Sequence, residues 1–271
     1  MAIKSKSSKT SKTSKSRRSE LARAVLIDLD DTLFDHRAAA RVALQTAAAC
    51  DPALGRVDFD ALETRHRAVL EDLHRRVLDG RLTIDEARAL RFRTLVEEQG
   101  EICDDTRLGQ MTAAYRTAYQ SNWVCLAGAR ELAAELKRRH ARIAIVTNNI
   151  VSEQMAKLKR LELEPFVDAL VVSEAVGWSK PDPRIFIHAL NALDAQAGDA
   201  VMLGDSWTAD IEGALAAGIR AVWFNPAGAP RPAGRPEVRE IDSLEPAGTV
   251  ADVILEGYPL GDSPIYLSES K

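Results

Sequence analysis

From Cys125 to Phe224 the sequence repeats one pattern, a helical stretch followed by a short apolar run. ARELAAELKRRH precedes RIAIVT (142–147), and VSEQMAKLKRL precedes DALVVS (168–173). PRIFIHALNAL precedes AVMLG (200–204), and TADIEGALAAG precedes RAVWF (220–224). Strands that are apolar on both sides must be covered on both faces, and alternating helices supply that cover. The pattern predicts an α/β, Rossmann-like parallel sheet. The run AVLIDL at 24–29 belongs to the same sheet by composition. Between it and the repeat, residues 36–122 predict helices only. Leu62, Val69, Leu70, Leu73 and Val77 stand at helical spacings. Thr83, with Glu86 three residues on, is a capping signature that opens the next helix. A helical unit therefore interrupts the α/β domain after its first strand. The expected division is a core at 21–35 and 123–258 and an inserted helical domain at 36–122. A basic tail at 1–20 and a loose tail at 259–271 complete it, with a Pro/Gly surface loop at 225–236.

The net charge of −4 hides an asymmetry. The first 18 residues hold five Lys and two Arg and no acid, which leaves 29 basic against 40 acidic residues in the rest. An acidic body argues against nucleic-acid binding by the folded part. The Ser- and Lys-rich tail is expected to be disordered: an electrostatic tether, a targeting segment or a solvated leader. It lacks the apolar stretch of a secretory signal. No window approaches the ~18 uninterrupted apolar residues of a membrane helix. Cys50, Cys103 and Cys125 are too widely spaced for a metal knuckle or a disulfide framework, so a cytoplasmic location is expected. His66 and His74 could share a helix face, where a solvated face is a better reading than zinc.

Ligands of an open parallel sheet bind beyond the carboxyl ends of its strands. The first strand delivers Asp28 and Asp30 there, two apart and so on one side. The second delivers Thr147, Asn148 and Asn149, and the fourth Asp205 and Asp210 in GDSWTAD. Lys180 follows the third in GWSKPDPRIF. Carboxylates crowded at one rim invite a hard divalent cation such as Mg²⁺, and Thr147 and Lys180 supply donors for a phosphate. Taken singly, each residue has a plainer reading. Asp31 and Asp35 suit a turn and a cap, Lys180 a loop lysine, and Asp205 a helix N-cap.

Together these four stretches resemble the haloacid dehalogenase superfamily in its phosphatase branch. They are a DxDxT strand end (Asp28 to Thr32), a strand ending in Thr147, Lys180 in SKPDP, and a GDxxxxD element (Gly204 to Asp210), in the family's order over residues 24–224. The resemblance implies that Asp28 is the nucleophile that becomes an aspartyl phosphate. It implies that Asp30 is the general acid and then the general base. It assigns Mg²⁺ to Asp28, Asp205 and the backbone carbonyl of Asp30, with Asp210 in support, and phosphate to Thr147, Asn148 and Lys180. Residues 36–122 lie where the family inserts its helical cap. Asn149 departs from the Gly common in the family, and Asn tolerates a left-handed backbone.

Asp30 argues against a dehalogenase, which lacks an acid two residues after the nucleophile. A phosphomutase and a sugar or glycolate phosphatase remain alternatives, as does a catalytically silent regulatory binding protein. The segments around Thr147 and Asp205 look most like house-cleaning 5′-nucleotidases and N-acylneuraminate phosphatases. The expected partner is a small phosphorylated metabolite, with nucleoside monophosphates slightly favoured and no membrane involved. Oligomeric state is open. Trp178 and Trp207 could stack on substrate or pack the rim, and Phe92, Tyr115 and Tyr119 could face substrate or pack helices.

Overall fold

The computed structural model describes residues 23–78 and 80–256, so the two expected tails lie outside the described residues. Six parallel strands form one sheet in the order β3-β2-β1-β4-β5-β6. They are β1 (Ala24–Ile27), β2 (Arg142–Thr147), β3 (Ala169–Val172), β4 (Ala200–Gly204), β5 (Arg220–Phe224) and β6 (Arg239–Ile241). β1 sits centrally, with Ala24 opposite both Arg142 and Ala200. Its residues alternate between two cores. Val25 and Ile27 pack with helices α5 (Ala129–Arg138) and α10 (Ala247–Leu255), while Ala24 and Leu26 pack with α8 (Pro183–Ala192) and α9 (Gly213–Ala216). This double burial is what the two-sided apolar runs require. α6 (Val151–Arg160) follows β2, and a one-turn helix α7 (Ser173–Val176) follows β3.

Between β1 and α5 stand α1 (His36–Ala49), α2 (Phe59–Leu78), α3 (Ile84–Glu97) and α4 (Asp105–Ser121), with no strand among the described residues there. Thr83 Oγ1 accepts from the Glu86 backbone N–H while Glu86 accepts from that of Thr83, which completes the capping box. The chain leaves and re-enters the α/β body at one place. Phe34 bridges Cys125 antiparallel, Asp35 N–H donates to Val124 O at 3.1 Å, and Leu126 N–H donates to Leu33 O at 2.9 Å.

Three local expectations change. β6 falls just beyond the expected 225–236 loop and spans only three residues. His66 lies within the helical block and is buried at 4% exposure against Phe92 and Tyr115, not on a solvated face. α2 turns that side toward α3 and α4, where an imidazole fills aromatic space. Asn149 does not take a left-handed backbone, and its side chain has another use, described below.

Candidate active site

β1 ends at Ile27, and the chain turns sharply over the next eight residues. Asp31 takes φ +64° and accepts from Arg37 N–H, and Asp35 caps α1 by accepting from Ala38 N–H, so both serve the turn and cap. The turn leaves Asp28 buried at the sheet edge. Thr32 Oγ1 donates to Asp28 Oδ2 at 3.1 Å and accepts from Asp205 N–H at 3.1 Å, which ties the ends of β1 and β4 together. Lys180 Nζ lies 2.5 Å from Asp28 Oδ1 and 2.6 Å from Asp210 Oδ1. Asp210 approaches because Gly204 has no Cβ, which would overlap the Asp210 carboxylate. The chain after Asp205 forms a π-helical turn, Trp207–Glu212, an irregularity often found at functional sites. Its N-cap is Ser206, which accepts from Ala209 N–H, so Asp205 is free of the capping role. Asp28, Asp205 and Asp210 each offer an oxygen within 4.8 Å of the others.

Asp30 points elsewhere. Its carboxylate accepts from Lys157 Nζ at 2.6 Å and Gln154 Nε2 at 3.0 Å, both on α6, and from Asn149 Nδ2 at 3.4 Å. Gln154 Nε2 also donates to Thr147 Oγ1 at 2.7 Å. Lys157 is fully buried, 4.8 Å from the Phe34 ring centre. Asn149 thus brings to Asp30 an amide that Gly could not. Asn148 is committed locally: its Nδ2 donates to Lys180 O at 2.9 Å and its Oδ1 accepts from Lys180 N–H at 2.7 Å. The Asn148 side chain is thus taken up within the protein. The exposed Arg37 Nη2 lies 3.4 Å from Asp205 Oδ2.

The electrostatics divide the carboxylates. Burial, and then Asp210 and Asp31, push Asp205 up to about 7. Burial raises Asp28 well above the carboxylate range against the pull of Lys180, with Asp210, Asp205 and Asp30 adding to the rise. Burial would raise Asp30 too, but the charges of Lys157 and His36 and the bonds from Lys157 and Gln154 hold it below its ordinary value. Three carboxylates crowded within 4.8 Å, two of them held above the ordinary carboxylate range, are a donor set suited to a divalent cation.

Two cavities meet here. A small one of about 180 Å³ is lined by Asp28, Asp30, Thr147, Asn148, Lys180 and Asp205, among others. A larger one of about 970 Å³ extends beneath the helical block and shares Asp30 and Asn148 with the first. Tyr115 and Tyr119 line the larger cavity, whereas Phe92 packs behind them. Neither Trp178 nor Trp207 lines either cavity. Trp207 packs edge-on to Trp223 at 5.0 Å, and Trp178 lies under Arg184.

All seven expected site residues therefore stand at one sheet edge. Sequence reasoning missed Gln154, Lys157 and Arg91. The first two could be suspected only by extending the second motif seven and ten residues along α6, where they read as ordinary helix-surface residues.

Comparison with known proteins agrees with this geometry. Among curated relatives, ribulose-1,5-bisphosphate 5-phosphatase of Halopiger xanaduensis is 34% identical over 76% of this chain and 86% of its own length. Human N-acylneuraminate-9-phosphatase is 29% identical over 75% of this chain and 82% of its own. The crystal structure of HAD-hydrolase YfnB of Bacillus subtilis, solved bound to magnesium, superposes with a TM-score of 0.72 at 28% identity. It covers 85% of this chain and 99% of YfnB. The description of haloacid dehalogenase-like hydrolases matches residues 22–218. With strand order, motif placement and relatives in agreement, the chain belongs to the haloacid dehalogenase-like hydrolases.

Proposed function

We propose that the protein is a Mg²⁺-dependent phosphatase of small phosphomonoesters that works through a phosphorylated Asp28. One observation carries this reading: Lys180 stands between Asp28 and Asp210 while Asp28, Asp205 and Asp210 converge within 4.8 Å. Phosphoryl transfer asks for positioning and charge neutralisation, and this cluster offers both. The relatives named as phosphatases and the magnesium-bound YfnB support the activity and the metal. Asp28 and Asp205 would hold the ion through side chains and Asp30 through its backbone carbonyl. Asp210, whose two oxygens already meet Lys180 and Ser206 N–H, would support it. When bound, the ion would neutralise these acids and draw charge from the transferring phosphoryl oxygens.

In the first half-reaction, Asp28 Oδ attacks phosphorus and the ester P–O bond breaks. The leaving oxygen takes the proton from Asp30. An arriving phosphate dianion favours that protonated form, because a nearby like charge raises a carboxylate's pKa. In the second half, Asp30 takes a proton from water and the water oxygen attacks phosphorus. The bond to Asp28 then breaks and releases phosphate. Lys180, Thr147 Oγ1 and the Asn148 backbone N–H hold the phosphoryl oxygens.

The relatives' names favour phosphorylated sugars and sugar acids over nucleoside monophosphates. Among the described residues the cysteines are free and no helix is long and apolar enough to cross a membrane. Hydrolysis of p-nitrophenyl phosphate tests the reading: Mg²⁺ should sustain it, EDTA abolish it, and Asp28→Asn remove it with the fold retained. Undiminished turnover in metal-free protein, or in Asp28→Asn, would overturn the assignment.

A further inference from the structure

The larger cavity holds one buried positive charge that no acid answers. Arg91, on α3, is 6% exposed and lines this space. Among the described residues no carboxylate lies within ion-pair distance of it, and its Nε has no hydrogen-bond partner. Its guanidinium carbon lies 3.9 Å from the Tyr115 ring centre and 4.5 Å from that of Phe92. Stacking fixes the plane of the group but does not neutralise it. Burial pulls its pKa below the ordinary arginine value, with Tyr115 opposing.

The other charges around the cavity are satisfied or solvated. Asp30 pairs with Lys157, Arg88 with Glu153 at 2.6 Å, and Glu174 accepts from Val151 N–H. Glu71, Asp85 and Arg116 are exposed. An isolated buried charge destabilises a fold, and a methionine would fill the same position without that cost. The cavity meets the phosphate pocket at Asp30 and Asn148. A substrate with its phosphoryl group at Asp28 must therefore send its remainder toward α3 and α4.

Resting on the phosphatase reading above, we propose that Arg91 binds a second oxyanion, a carboxylate or a further phosphoryl group, on the leaving-group half of the substrate. The preferred substrates are then small phosphomonoesters that carry another negative charge. Neutral analogues leave the guanidinium desolvated and unmatched.

Three esters of one carbon skeleton test this: glycerol 3-phosphate, 3-phosphoglycerate and glycerol 1,3-bisphosphate. Wild-type kcat/KM should favour at least one charged ester over glycerol 3-phosphate by ~30-fold or more, the lower end of what a buried charge pair contributes. Which charged ester leads distinguishes carboxylate from phosphoryl recognition. Arg91→Met should bring that ratio close to one, and Arg91→Lys should keep part of it. Arg91→Met should also melt at or above the wild-type temperature, because a buried charge has been removed. A wild-type ratio near one, or an equal loss on all esters with a lower melting temperature, would overturn the proposal and leave Arg91 a packing residue. Affinities measured by calorimetry on Asp28→Asn protein separate the two readings. If no ester is hydrolysed by wild type, the phosphatase reading fails alone. Tighter binding of a charged ester, lost with Arg91→Met, still establishes the subsite, and equal affinities refute it.

Discussion

Lys180 is 4% exposed, and its ammonium is shared between Asp28 and Asp210. The motif SKPDP identified the residue from sequence, but its burial was not legible there. A lysine flanked by Ser and Pro in a loop reads as a solvated side chain whose loss would spare the fold. The structure buries it instead, and truncation would leave two buried carboxylates facing each other. Lys180→Met should therefore abolish turnover and also lower stability by about 3–5 kcal/mol. Urea denaturation should show the loss to be largest without Mg²⁺, whose binding would neutralise the same acids. An unchanged midpoint in metal-free buffer would contradict this account. Thr32 makes a gentler case. Its hydroxyl joins Asp28 to the Asp205 backbone, so Thr32→Val, which keeps the shape but loses both hydrogen bonds, should reduce kcat by about tenfold or more. KM should move little, which steady-state kinetics will show.

Helix α6 brings Gln154 and Lys157 to the Asp30 carboxylate, and Glu153 pairs with Lys157. In the sequence, VSEQMAKLKRL shows only amphipathic spacing, and a lysine between apolar neighbours looks like helix surface. What decides its role is a tertiary fact, the seating of α6 against Phe34, Tyr119 and Trp123. If Asp30 acts as proposed, Lys157→Met should lower kcat by about a hundredfold, the scale of a misplaced general acid, with a smaller change in KM. The longer strands were readable because burial on both faces writes itself into composition. β6 was not, because three residues beyond a Pro/Gly run carry too little pattern. In the helical block, burial first, then Arg91 and His36, depress His66 to about 3. The unfolded chain takes up a proton near pH 6.5 and the folded one does not, so this contribution is present above that pH. It is lost as pH falls from about 6.5 toward 3. Wild type should lose about 2 kcal/mol more than His66→Phe between pH 7 and pH 5, measured by denaturant midpoints.

Over the whole molecule, the helical block and the sheet share one hydrophobic cluster and enclose the larger cavity between them. Across that cavity Arg88 on α3 clasps Glu153 on α6, the residue that also meets Lys157. Arg88→Ala should raise KM about twofold to fivefold with kcat less affected, as loss of one partly exposed ion pair implies. Such a clasp between distant segments is invisible to spacing arguments, although the inserted position of the block was not. The two chain passes that connect block and sheet lie a hydrogen bond apart, at Asp35 with Val124 and at Leu33 with Leu126. An insert whose ends already touch can be exchanged or removed without stretching its host. Descendants of such a chain can trade one roof for another while every residue at the sheet edge stays in register. New appetites could then arise by grafting, with the chemistry beneath inherited whole.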